Sequence, residues 1–440
     1  MQLPTDISTL AQIEKKLNVC DFFQYKDSTS WISVKNLLTT NLYTNDIRIK
    51  TRSKKDIFSS KGIYVTFLSF KHILHIFRTR KTTLFLGAST GLFSHNDKTL
   101  DAYFPYYDQK EEDVIYAINC GNITQLIKNI NYVKNNHLIV ENYIFGSLKK
   151  LLSKLFILLK TKTTHYENFC IFLKKYDIYI NDKKIKQSHY DFIAGYHIYR
   201  IFFKILSIKK AYIVSPTTKS DICAALKSLN IEIIEIQHGV VGKLHRGYNY
   251  NFKPNKLLPV PNKINVYNQF WADEIISAGY FTSEQINIVG RLKYDIVNEI
   301  KFIENNNYII FTGQGAYIKD VVKLFIQSVK LLEDHKLKLI YKPHPRELPS
   351  ELEFISEEIK PYKNLELYNG AYSTEVLIKN CFAHISIFSS CHFDAIYYNN
   401  RTYVFDIMDN NIMNYYNVTH REQFIKVKNI EEVIKNEINI

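Results

Sequence analysis

Residues 308–342 read YIIFTGQGAYIKDVVKLFIQSVKLLEDHKLKLIYK. The apolar run 308–312 enters Gly313-Gln314-Gly315, then an amphipathic stretch at 318–332, then a second apolar run at 338–342. A short buried run, a glycine turn, a helix-period segment and another short run make a βαβ unit. Such a unit requires a parallel sheet covered by helices. Downstream the pattern repeats. Strands are predicted at 365–367, 382–387 and 403–405, the last of the series, with helices at 373–379, 391–398 and 430–436.

Upstream, a polar stretch at 304–307 separates this series from another. There, strands are predicted at 211–214, 231–236, 265–267 and 285–289, with helices at 218–229 and 271–278. Gly290-Arg291-Leu292-Lys293-Tyr294-Asp295 closes that run. The first 200 residues are less legible. They offer strands at 82–86 (ending in a turn at Gly87-Ala88-Ser89) and 114–118, and helical periodicity at 147–160. Two βαβ series with a break near 298–307 predict an α/β protein. Its two Rossmann-like, doubly wound lobes, residues 1–298 and 303–440, would face a central cleft.

The composition agrees. The chain has 440 residues, 46% hydrophobic and 23% charged, enough for two cores and unlike a disordered chain. Six scattered cysteines (Cys20, Cys120, Cys170, Cys223, Cys381 and Cys391) include no C-x-x-C pair and read as reduced core thiols of a cytosolic protein. No basic flank followed by an apolar run marks a signal peptide in residues 1–16, and no apolar stretch reaches membrane-spanning length. The net charge of +14 is uneven. Residues 1–300 hold 41 Lys and Arg against 25 Asp and Glu, whereas residues 301–440 hold 16 against 18. A cluster from Arg48 to Lys81, with Asp56 its one acid, suits a polyanion such as an acidic lipid surface or an anionic glycan. No zinc spacing or aromatic–basic RNA motif accompanies it, so nucleic acid is not an expected partner.

In open α/β sheets ligands bind beyond the carboxyl ends of the strands. Four groups sit there: Gln237-His238-Gly239, Gly313-Gln314-Gly315, Lys342-Pro343-His344-Pro345 and Ser389-Ser390. The glycine loop lets backbone N–H groups approach a phosphate at a helix N-terminus. Two prolines fix the chain around His344. The serines open a helix and offer hydroxyls to the same crevice, although serine is also a common helix cap. No carboxylate cluster appears, so no metal or other cofactor is expected. His238, with an ordinary imidazole pKa near ~6.5, is the candidate proton acceptor. Gln237, Gly239, His245, Tyr248 and Arg291 are candidates for the acceptor side, and an acidic base would have to hide near Asp101 or Asp108.

The order Q-H-G (237–239), G-R-L-K-Y-D (290–295), K-P-H-P (342–345) and S-S-x-x-F-D (389–394) resembles the bacterial two-lobed GT-B transferases of surface-polysaccharide assembly. These include teichoic-acid glycerophosphotransferases and the sialyl- and Kdo-transferases with a His-Pro motif and paired serines. The segment 224–239 is similar to a stretch of capsule and lipopolysaccharide proteins. This resemblance spans roughly half the chain, and Gly239-Val240-Val241 stands where glycerophosphotransferases carry Thr-Pro-Leu-Lys.

What the resemblance implies is a metal-independent, inverting glycosyltransferase acting at the cytoplasmic side of the cell membrane. A nucleotide-activated sugar (CMP-sugar first, then UDP- or GDP-sugar) would be the donor, and a glycan or glycolipid, anionic in character, the acceptor. By position, His344, Ser389 and Ser390 would hold the donor phosphates with Lys342, Pro345 and Gly313–Gly315, and His238 would be the base. A CDP-polyol phosphotransferase and a non-catalytic assembly subunit share the layout.

Overall fold

The computed structural model describes residues 5–44, 59–79, 81–95, 98–103, 113–120, 123–135, 137–159, 164–252, 255–302, 306–315, 317–344, 347–407 and 411–438. The chain divides into two compact units, Thr5–Leu292 and Lys293–Ile440.

The first unit is built on a parallel seven-stranded sheet. Its strands are β1 (Thr83–Ala88), β2 (Val114–Asn119), β3 (Ile139–Val140), β4 (Lys210–Val214), β5 (Glu232–Ile236), β6 (Lys263–Val266) and β7 (Ile286–Ile288), in the order β7-β6-β5-β4-β1-β2-β3. Alternation along the strands divides the core between the two faces. Leu84, Leu86, Ala211, Ile213 and Ile233 pack on helices α1 (Ser60–Thr79), α2 (Glu141–Leu159), α3 (Asp182–Ile205) and α4 (Ser220–Lys227). Phe85, Tyr116, Ile118, Tyr212 and Ile234 form the other face's core. α3 starts where Asn181 accepts the Lys183 N–H at 2.8 Å.

The second unit carries β8 (Tyr308–Thr312), β9 (Lys338–Lys342), β10 (Leu365–Leu367), β11 (Ala383–Ser386), β12 (Thr402–Phe405) and β13 (Phe424–Val427). Its parallel sheet has the order β10-β9-β8-β11-β12-β13. Counted in chain order within each unit, both sheets run 3-2-1-4-5-6, the doubly wound arrangement, and the first adds a seventh strand at its edge. The two Rossmann-like sheets agree with the fold class read from the sequence.

Three local expectations are corrected. The 318–332 segment is two helices, Ile318–Gln327 and Val329–Asp334, meeting at Ser328. β13 adds a strand after 403–405; it lies at the edge of the sheet, with half-buried Ile425 and exposed Lys426 between buried Phe424 and Val427. Gly290–Asp295 does not close the first series. Leu292 opens a helix, α5 (Leu292–Glu299), that is anchored in the second unit by a Lys293–Glu375 ion pair and by Tyr294, whose hydroxyl donates to Asp394 at 2.6 Å. The six cysteines form no disulfide.

Candidate functional site

In the first unit, β5 ends in Gln237-His238-Gly239. Gln237 is fully buried, and its amide is satisfied within the protein. Nε2 donates to the Gly239 carbonyl at 2.9 Å, and Oε1 accepts the Tyr267 N–H at 2.9 Å. The Tyr267 hydroxyl returns a bond to the Gln237 carbonyl at 2.7 Å. Gln237 therefore clamps the ends of β5 and β6 together and does not face an acceptor. Gly239 makes no turn that needs glycine, because its φ is not positive and an added Cβ would meet nothing within 4 Å. The turn that needs glycine is Gly242, at φ +105°, where a Cβ would lie 2.9 Å from the Glu274 backbone.

The clamp sets His238. Its carbonyl accepts the Tyr103 hydroxyl at 3.4 Å, and its ring lies edge-on to His245 with centroids 6.4 Å apart. Nδ1 of His238 is buried with no hydrogen-bond partner among the described residues. Burial, helped by the Lys219 charge, lowers the imidazole pKa to about 4, in place of the ordinary value expected from sequence. The ring is therefore neutral near pH 7. His245 is lowered to about 3 by burial, with His238, Arg246 and Lys35 adding to the effect. The Arg291 guanidinium stacks 5.0 Å from the centre of the Tyr267 ring, which brings it to the same strand ends.

Tyr248 does not line a mouth. It is fully buried and donates its hydroxyl to Glu235, a carboxylate within β5. Glu235 is wholly buried in β5, and burial pushes its carboxyl up to about 8. Beside it the buried Lys219 ammonium donates to the Val214 carbonyl and is pulled down to about 8, chiefly by burial. A charge inside a run as apolar as IEIIEI was the available signal. Asp101 is a structural carboxylate, holding the Tyr103 N–H at 2.8 Å and the Tyr116 hydroxyl. Asp108 lies outside the described residues.

The stretch after His238 is pinned by the N-terminal helices. Lys35 donates 2.7 Å bonds to Glu14 and to the Asn249 carbonyl, Glu14 also accepts the Asn251 N–H at 3.0 Å, and Arg246 reaches Asn36 at 3.0 Å. Residues with no legible role in the sequence thus hold the histidine loop.

In the second unit, the strand order brings three expected groups to neighbouring strand ends: Gly313–Gly315 after β8, Lys342 at the end of β9 with His344 beyond it, and Ser389-Ser390 after β11. β8 and β11 flank the point where the strand order reverses, the position at which such sheets bind ligands. The glycine loop is nevertheless not an open cradle. Glu347 Oε1 accepts the Gly315 N–H at 3.0 Å and the Tyr341 hydroxyl at 2.9 Å, and a Cβ on Gly313 would lie 2.4 Å from that same oxygen. Burial raises the Glu347 carboxyl above its ordinary range. Gly315 itself has φ +67°, a conformation that favours glycine. Gln314 Oε1 is buried with no hydrogen-bond partner among the described residues.

Lys342 lies 4.4 Å over the Tyr368 ring and donates to the Tyr372 carbonyl at 3.3 Å, with its pKa lowered by burial. His344 is half-buried, and its carbonyl accepts the Glu347 N–H at 3.0 Å. Pro345 lies outside the described residues. Ser389 is buried and accepts the Cys391 N–H at 3.2 Å, as a cap does, while Ser390 is exposed. Among the described residues no group of three or more His, Cys, Asp or Glu side chains is placed to hold a metal ion.

No family model matches the chain, and no curated protein matches it. Solved structures do overlap with it. UDP-GlcNAc 2-epimerase from Methanocaldococcus jannaschii is 12% identical, with a TM-score of 0.47 over 82% of this chain and 92% of the other. S. aureus MnaA with UDP is 10% identical, with a TM-score of 0.44 over 79% and 84%. A glycotransferase of kitacinnamycin is 9% identical, with a TM-score of 0.42 over 79% and 86%. Likenesses this distant assign no activity to this chain.

Proposed function

We propose that the chain is a nucleotide-sugar-dependent glycosyltransferase, with the donor bound by residues 293–440 and His238 acting as the base. The reading rests on one observation above the others. The switch point of the second sheet is flanked by a glycine loop and by Ser389-Ser390 before a short helix, with His344 and Lys342 on the adjoining strand end. That is the place and the chemistry for a nucleotide's phosphates. His238 contributes a neutral imidazole with a buried, unpartnered nitrogen. It would take the proton of the acceptor hydroxyl as the oxygen attacks the anomeric carbon and the nucleotide leaves. CMP-sugars head the candidate donors, followed by UDP- and GDP-sugars, and the acceptor is a bacterial surface glycan or glycolipid.

The test is incubation of the intact chain with CMP-, UDP- and GDP-sugars and a glycan acceptor, with products read by mass. Release of free nucleotide together with a glycosylated acceptor is the expected result. A donor converted to its epimer without nucleotide release would replace transfer by epimerisation. A phosphodiester product would replace it by polyol-phosphate transfer, and no turnover of any donor would remove the enzyme reading.

A further inference from the structure

Helix α1 runs beside the edge strand β3, and α2 packs against it. The inward face of α1 buries Val65, Leu68, Ile73 and Ile76. Its outward face is apolar as well: Ile63, Phe67, Phe70, Leu74 and Phe77 recur every third or fourth residue, and Phe67 is 68% exposed. α2 repeats the arrangement with Leu148, Leu151, Leu155 and Leu158, the last 76% exposed. A helix apolar all round is ordinarily buried on all sides or set against lipid. Each stripe extends about 15–21 Å at the helical rise. Exposed apolar side chains occur singly on any surface, but two adjacent stripes of this length mark an interaction site.

The charge around the stripes selects the occupant. Lys71 and Arg78 flank the first stripe, and Lys150 and Lys154 flank the second. α1 contains no acidic residue, and the only acid of α2, Glu141, is buried against Tyr199. A groove of about 660 Å³ alongside α1 is lined by Phe67, Leu74, Lys71, Arg78, Lys134 and His137. A second copy of the same face would bring like charges together. A negatively charged bilayer satisfies both features, because its headgroups meet the cations and its acyl boundary takes the aromatic and leucine side chains.

We propose that α1 and α2 form a docking surface for an anionic membrane, lying in the headgroup plane without crossing it. Among the described residues no helix is long and apolar enough to cross a membrane. The inference is independent of the proposed activity.

Flotation of the intact chain with phosphatidylcholine vesicles, with and without about 30% phosphatidylglycerol, tests it. The chain is expected to float with the acidic vesicles and to lose binding as salt rises from about 0.1 to 0.5 M. Each lysine near an acidic surface is worth about fivefold in partition, so Lys150→Ala with Lys154→Ala is expected to lower it about 25-fold. Phe67→Ser with Phe70→Ser and Leu74→Ser is expected to lower it at least about tenfold, with an unchanged melting curve. If that triple variant unfolds, the lysine pair decides alone. Wild-type chain that stays with the soluble fraction would overturn the proposal, as would folded variants that float equally well. A concentration-dependent dimer lost in the triple variant, without vesicle binding, would give the face to a second copy and overturn it too.

Discussion

The ends of the two sheets are built to the same strand order and finished in opposite ways. Beyond β5 the protein withholds a partner. Gln237, Tyr267 and the N-terminal helices fix the backbone of the histidine loop, yet His238 Nδ1 is left buried and unpaired among the described residues. Beyond β8 the protein supplies one to the loop backbone, since the Gly315 N–H that would meet a phosphate already meets the Glu347 carboxylate, although Gln314 Oε1 there is also unpartnered among the described residues. A buried polar atom without a partner costs stability, so its retention points to a function. A filled loop points to competition, in which an incoming anion must displace or neutralise the group in place.

Four outcomes would break or sharpen that contrast, the largest first. His238→Ala is expected to lower kcat by about 10²–10⁴ while nucleotide affinity changes only a few-fold, read by steady-state kinetics beside direct titration. Unchanged turnover would return His238 to a structural role.

Acid is expected to act on both units, because each buries neutral histidines. His238 is lowered to about 4, and His245 and His392 to about 3, each chiefly by burial. The unfolded chain takes up these protons near pH 6.5, but the folded chain only well below that. Between those values the unfolded state binds more protons, so stability is intact above about 6.5 and is lost as pH falls. The loss is on the order of 2 kcal/mol per deeply buried histidine by pH 5, measured by denaturant unfolding across the pH range. A flat profile from pH 7 to 5 would mean that the rings are open to solvent.

The glycines separate more finely. Gly313→Ala forces a Cβ against Tyr341 and Glu347 and should cost about 1–3 kcal/mol, whereas Gly239→Ala should change stability by less than about 0.5 kcal/mol. Equal costs would contradict the different packing of the two loops. The smallest effect is expected from Glu347→Gln. Removing this charge from the glycine loop should tighten nucleotide binding about fivefold. Weaker binding would place the phosphates elsewhere.

The second unit was largely legible in the sequence because its strands are short apolar runs with clear helices between them; 308–312, 338–342 and 365–367 stand as read. β13 escaped because FIKV, an edge strand carrying Lys426, lacks a continuous apolar run. In the first unit the periodicity is concealed. α1 is apolar on both faces, and the inward face of α3 carries His189, Tyr190, Tyr196 and Tyr199, which do not read as a simple core stripe. At the site, residue types at strand ends were readable, but what they bond to was not. Gln237 and Tyr248 looked available and are core, because their partners Tyr267 and Glu235 are brought in by neighbouring strands or by the sheet's own interior. Glu347 could not be assigned to the glycine loop, since only the β8–β9 pairing brings Tyr341 and Glu347 over Gly313.

Calorimetric titration of the intact chain with CMP, CDP, UDP and GDP reaches the central claim most directly. Saturable heat with at least one nucleotide, weakened at least about tenfold by His344→Ala, is the expected result. No heat with any of the four, under conditions where the protein is folded, would contradict the account.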